Sequence, residues 1–130
     1  MINWSSRTKE NNIYRIELSN NRTIQEIQNE FNEYFPHLKI QFYQKDKFFP
    51  GSFSELFVES GEEKLSTCRV KNNSGYLYLN DESTVLKLKQ TVYDYFGLKI
   101  EVFQITDHNH WSENPITKEQ LLTQINFEIT

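Results

Sequence analysis

The densest group of chemically versatile side chains is the run Asp107-His108-Asn109-His110-Trp111. On an extended backbone alternate side chains share one side, so His108 and His110 can present two imidazoles together. With a carboxylate oxygen from Asp107 they would begin a site for zinc or another borderline metal. Such a site needs three or four ligands, and beyond these the chain offers only the distant His37. A pair of this kind specifies little by itself. The plainer expectation is a polar loop after a strand, with Trp111 tucked against the core.

A second group is apolar. Phe48-Phe49-Pro50-Gly51-Ser52-Phe53 is the most hydrophobic loop of the chain. Held outward, Phe48, Phe49 and Phe53, with Trp111, would supply aromatic anchors for a protein partner. Turned inward, the rings would plug the end of the fold and seat a short helix. The inward arrangement is the expectation, because exposed aromatic clusters of this size are rare in monomers. Cys68 beside Arg69 could be an activated thiol. Its place in an alternating segment points instead to a small buried hydrophobe. The chain has no glycine-rich phosphate loop, no Gly-x-Ser-x-Gly elbow and no His-Glu-x-x-His helix. Carboxylates such as Glu59, Glu62 and Glu63 are spread over polar stretches and pair into no acid–base couple. No catalytic residue and no cofactor follow from these residues.

Composition narrows the classes further. Across 130 residues the net charge is −4, with 14 basic against 18 acidic side chains. No two basic residues are adjacent, which disfavours nucleic-acid and acidic-membrane binding. A single cysteine excludes an intramolecular disulfide and a cysteine-based metal site. The polar start, Met1 to Asn12, has no apolar signal core, and no later segment approaches a membrane span. The expected location is the cytoplasm. Hydrophobic residues make up only 37% of the chain, but ten Phe and seven Tyr carry a large buried area each. One ordered domain is expected.

Positioning these groups is the task of a repeated unit. Thr23 to Phe35, Pro36-His37 and Leu38 to Gln44 align with Thr84 to Phe96, Gly97 and Leu98 to Gln104. Identical pairs include Thr23/Thr84, Tyr34/Tyr95, Phe35/Phe96, Leu38/Leu98, Lys39/Lys99 and Ile40/Ile100. Each copy reads strand, helix, strand. Ile16 and Leu18, like Leu77 and Leu79, alternate with polar or tyrosyl neighbours. The helices carry the stripes Ile24, Ile27, Phe31, Tyr34, Phe35 and Val85, Leu88, Val92, Tyr95, Phe96. Thr23 with Glu26 predicts a capping box; Thr84 caps its helix without one, since Lys87 cannot complete it. Pro36 and Gly97 stop the helices, Gly97 through a left-handed cap. In the returning strands Leu38, Ile40, Phe42 and Leu98, Ile100, Val102 point inward.

Outside the repeat, Ser52 with Glu55 predicts a short helix, and Thr117 with Gln120 another bearing Leu121, Leu122 and Ile125. Lys64 to Val70 reads as a strand joined by a Lys71-to-Gly75 turn to the second repeat, and Phe127-Glu128-Ile129 as an edge strand. The domain then divides into 12–44 (first βαβ repeat), 45–74 (insert), 75–105 (second βαβ repeat) and 106–130 (loop, helix and edge strand). The fold class is α+β: duplicated βαβ units in a two-layer, ferredoxin-like sandwich with an extra hairpin and a C-terminal helix. A β-grasp-like ββαβ core competes but leaves the first copy unexplained.

From about Thr23 to Asn126 the chain resembles a group of small uncharacterised proteins associated with Bacteroidetes genomes. The resemblance rests on Phe31-Asn32-Glu33-Tyr34-Phe35-Pro36-His37-Leu38-Lys39-Ile40, Thr84-Val85, Phe96 to Phe103 and Trp111. Thr117 to Gln124 matches loosely the Thr-Leu-x-x-Gln-Asn segment of that group. It implies a stand-alone domain and transfers no catalytic residue. The resulting expectation is a non-enzymatic protein-binding or adaptor module, with an unidentified protein as partner and homo-oligomerisation left open. Its alternatives are a small metal-dependent enzyme built on Asp107, His108 and His110, and an RNA-binding sandwich stacking bases on Tyr43, Phe103, Tyr76 or Tyr78.

Overall fold

The computed structural model describes residues 13–105, 110–116 and 122. In chain order they form β1 (Ile13–Glu17), α1 (Ile24–Tyr34), β2 (Leu38–Lys45), β3 (Phe53–Phe57), a 3₁₀ turn (Leu65–Thr67), β4 (Tyr76–Asn80), α2 (Val85–Asp94) and β5 (Ile100–Gln104). The class is α+β, with two helices and two antiparallel sheets compatible with a two-layer sandwich.

Both helices begin as their first residues dictate. The Glu26 N–H donates to Thr23 Oγ1 at 3.2 Å and the Thr23 N–H donates to Glu26 Oε1 at 2.9 Å, which closes the capping box. Thr84 Oγ1 accepts the Lys87 N–H at 3.0 Å, and Lys87 returns nothing. Ile24, Ile27 and Phe31 on α1, and Val85, Leu88 and Val92 on α2, are buried in one core. At its C-terminal end α2 turns through Gly97 at φ +68°, a left-handed conformation that suits glycine. A Cβ there would also overlap the main chain of Lys71.

The four repeat strands are divided between two sheets. β1 pairs with β4 antiparallel, and β2 pairs with β5 antiparallel, with β3 added to the outer edge of β2. Both registers obey the sequence repeat. Ile16 faces Leu77, its own repeat equivalent, and Gln41 faces its equivalent Glu101. Like pairs with like about one pseudo-twofold relation.

That relation continues where the sequence reading stopped. The Val58 N–H donates to Phe42 O at 2.7 Å, and the Ile116 N–H donates to the equivalent Val102 O at 2.7 Å. Farther on, the Leu65 N–H reaches Arg22 O at 2.8 Å and the Leu122 N–H reaches the equivalent Ser83 O at 2.9 Å. Leu65 and Leu122 are both fully buried. The presumed insert and tail therefore return to the same places, each closing over the start of its own helix.

Two expected elements differ. Residues 53–57 are a strand instead of a helix, because the chain reverses at Asp46 and meets the unpaired edge of β2. Ladder bonds there outweigh an isolated one-turn helix. Residues 64–70 hold a 3₁₀ turn instead of a strand. Leu65 and Cys68, three apart, are both buried, a spacing that suits the 3₁₀ period. With the segment turned this way β4 takes β1 as its partner, and the expected hairpin does not form. Tyr95 is a third departure: it is 55% exposed, off the buried stripe. Tyr34 has the Tyr14 ring to pack against at 5.1 Å, while the residue equivalent to Tyr14 is Gly75. The predicted helix opening at Thr117 lies outside the described residues apart from Leu122, and the edge strand 127–129 lies outside them entirely.

Arg69 is the one buried charged side chain among the described residues. Its guanidinium donates to Phe96 O at 3.0 Å, Leu18 O at 3.3 Å, Asn20 Oδ1 at 2.8 Å and the Asn73 carbonyl. It joins the ends of β1, α2 and the segment before β4. Cys68 beside it is buried, and burial pushes its thiol up to about 12, against an ordinary 9.0. It packs within the core.

Candidate functional site

The β2–β3 connection is a rigid aromatic knuckle. Asp46 Oδ1 accepts the N–H of Phe48 at 2.8 Å and of Phe49 at 3.2 Å, an Asx turn that fixes the reversal. The Asp46 N–H closes the loop on Ser52 O at 3.0 Å, and the Ser52 N–H donates to Phe49 O at 3.1 Å. Gly51 takes φ +85° between them. The rings project outward: Phe48 is 83% exposed and Phe49 66%. The expectation that they plug the fold is therefore not met. The hairpin meets the body of the fold at its other end, where the Phe57 ring lies 4.6 Å from Tyr43 and 5.8 Å from Phe103.

Phe53 stays at the base of the knuckle, half-buried, its ring 6.0 Å from Tyr93 of α2. Leu56, on the opposite face of β3, is exposed. Trp111 belongs to a different neighbourhood. It bridges to Ile105, and the Lys39 ammonium lies 5.1 Å from its ring centre. The structure thus groups Phe48 and Phe49, keeps Phe53 beside them and places Trp111 along α1.

Of the metal candidates, His110 is exposed. Asp107 and His108 lie outside the described residues. Among the described residues no group of three or more His, Cys, Asp or Glu could hold a metal ion. A cleft of about 720 Å³ runs between the β2–β3 hairpin and the segment around Arg69. Lys45, Lys47 and Arg69 are matched in its lining by Asp46, Glu59 and Glu63, so it favours neither sign of ligand charge. On the other face of the molecule, Tyr76 and Tyr78 stand exposed on β4 with ring centres 6.3 Å apart, and Arg15 lies 4.6 Å from the Tyr76 ring centre. Of the other two stacking candidates, Phe103 is buried. Tyr43 is held by a 3.0 Å bond to Glu101 Oε2, and burial first, then that carboxylate, push its phenol up to about 12.

One constellation was overlooked in the sequence although its spacing was there. Gln25, Gln28, Asn29 and Asn32 recur at helical spacing and form a carboxamide row on α1. With Gln41 of β2 and Trp111 they line a groove of about 370 Å³. Polar side chains on a helix read as solvated by default, so only the folded-over Trp111 marks this face. Compared with protein-family models, with curated proteins and with solved structures, the chain matches none of them.

Proposed function

We propose that the chain is a non-enzymatic protein-binding module that docks through the Phe48–Phe49 knuckle. One observation carries this reading: two adjacent phenyl rings are held in solvent on a turn whose backbone is pinned by Asp46. Exposed rings cost nothing further to present, and a pinned turn loses little entropy on docking. Half-buried Phe53 extends the apolar surface toward the base. The partner would be a protein with an apolar pocket sized for one or both rings. No helix of the described residues is long and apolar enough to cross a membrane. We read the site of action as the cytoplasm, and the symmetric registers as the product of an internal duplication.

The test is the double variant Phe48→Ser, Phe49→Ser. Its melting temperature should stay within a degree or two of the parent, since exposed changes usually cost within about 0.5 kcal/mol. A partner retrieved by the parent in pull-down, and confirmed by binding of the purified pair, should no longer bind. Equal binding by the variant would remove this reading.

A second reading has its own observation. Tyr76 and Tyr78, exposed side by side with Arg15 against one ring, could stack two bases of single-stranded RNA. The net charge of −4 opposes it. The metal-dependent enzyme on Asp107, His108 and His110 would show as stoichiometric zinc or iron in untagged protein.

A further inference from the structure

The carboxamides of α1 do two jobs at once. Gln28 Nε2 donates to Ile40 O at 2.9 Å and to Gln41 Oε1 at 3.3 Å. Asn32 Nδ2 donates to Pro36 O at 3.1 Å and to Leu38 O at 2.9 Å. These bonds cap the stretch of β2 edge that β3 leaves uncovered. Each uses the nitrogen of its amide, so Gln28 Oε1 and Asn32 Oδ1 remain as acceptors. Gln25 Nε2 donates to Asn29 Oδ1 at 2.9 Å, which leaves Gln25 Oε1 and Asn29 Nδ2. The lining also contains Lys39 and Glu59, one charge of each sign. Lys39 sits against Trp111, and burial lowers its pKa.

The second half shows that this row is not needed to seat a helix. The residues equivalent to Gln25, Gln28, Asn29 and Asn32 are Leu86, Lys89, Gln90 and Tyr93. There, α2 is anchored by Lys89 Nζ donating to Glu101 Oε1 at 2.7 Å, and the matching depression is lined by Leu86 and Tyr93. The same fold position works with one amide where α1 carries four.

We propose that the groove along α1 is a binding site for a neutral glycan. Sugar hydroxyls on neighbouring carbons are donors and acceptors at once, and carboxamides offer both within one group. The indole of Trp111 supplies an apolar wall for the C–H face of a sugar ring. A lining with one positive and one negative charge has no preference for an ion. The groove, at about 370 Å³, lies in the size range of small-ligand sites. This site is separate from the Phe48–Phe49 knuckle and does not depend on it.

The experiment uses the full ¹⁵N-labelled chain titrated with cellotriose, maltotriose and triacetylchitotriose, each to about 10 mM, a range that captures weak millimolar sites. At least one should shift the Trp111 indole N–H and the side-chain amide signals of α1 saturably, leaving Leu86, Tyr93 and Phe48 unmoved. Trigalacturonic acid, charged but of similar size, should bind at least tenfold more weakly. The variant Gln25→Leu, Asn29→Leu changes only exposed positions, so its melting temperature should match the parent while affinity falls at least tenfold. Should that variant fail to fold, Gln25→Leu alone takes its place with the same readout. Absence of saturable shifts with all three neutral sugars, equal binding of the charged one, or full affinity in the variant would overturn the proposal.

Discussion

The two halves of this molecule share elements, caps and strand registers, yet they differ wherever side chains meet solvent or each other across the repeat. Tyr34 packs on Tyr14, whereas Tyr95, with Gly75 at the position equivalent to Tyr14, is left outside. Gln28 reaches Gln41 as one amide to another, whereas Lys89 reaches Glu101 as an ion pair. Tyr43 is a buried-edge phenol, and its counterpart Phe103 has no hydroxyl. Pro36 and a second residue lead out of α1, while Gly97 alone leads out of α2. What is common is the apolar stripe and the backbone bonding. With these and the threonine N-caps kept, the fold tolerates exchange of the other side-chain contacts between halves, which frees the polar surfaces to diverge.

Removing what the halves share should cost most. Phe35→Ala and Phe96→Ala should each cost about 3–5 kcal/mol, the usual range for a buried Phe. Phe35 meets two rings, Tyr14 edge-on at 5.2 Å and Phe31 at 5.3 Å, where Phe96, among the described residues, meets only Tyr95 at 4.8 Å, so the loss of Phe35 should be the greater by one ring pair, about 0.5–1.5 kcal/mol. Denaturant melts of both variants give the difference directly, and equal values would mean that the Tyr14 contact adds nothing. Next come the helix exits. Gly97→Ala forces a Cβ onto a left-handed residue against Lys71, a strain of about 1–3 kcal/mol. Pro36→Ala, at the exposed first exit, should stay within about 1 kcal/mol. Thermal unfolding of the pair would show whether only the second exit is sterically determined.

Alkaline titration separates the halves more gently. A thiol and a phenol with raised pKa values stay protonated in the fold while the unfolded chain releases their protons. Their stabilisation is complete below the ordinary values of 9.0 and 10.0 and is lost as pH rises toward about 12. Cys68→Ala should flatten the lower part of that decline and Tyr43→Phe, which copies Phe103, the upper part. Stability measured from pH 8 to 11 in the three proteins checks it, and identical slopes would contradict it. The smallest effect is expected for Lys89→Gln, Glu101→Gln, which gives the second half the first half's amide pair. The ion pair is partly exposed, so the double variant should lose no more than about 1 kcal/mol. A larger loss in urea melts would mean that the polar contacts are not interchangeable.

Taken by itself, the sequence determined what depends on neighbours along the chain. Thr23 with Glu26, Thr84, Gly97 and the 3.6-residue stripes act within a turn or two, and the structure places both helices and the inward faces of β2, β4 and β5 accordingly. Alternation likewise put Ile16 and Leu77 inside, but it carries no information on which strand sits beside which. That was decided in three dimensions. Residues 53–57 have a capping pattern and two Phe at helical spacing, and only the open edge of β2 makes them a strand. Leu65 and Leu122 have little local signal in common, and only the shared need to close over a helix start aligns them. The candidate sites follow the same division. That Phe48 and Phe49 belong together was legible from adjacency, whereas their exposure was not, because it depends on the turn that Asp46 fixes once β3 has paired with β2. The carboxamide row was legible as spacing; its groove exists only because Trp111, some eighty residues later, folds back beside Lys39. Pairing and cavity formation join residues far apart in the chain, and their free energy depends on surfaces that exist only once the core has formed.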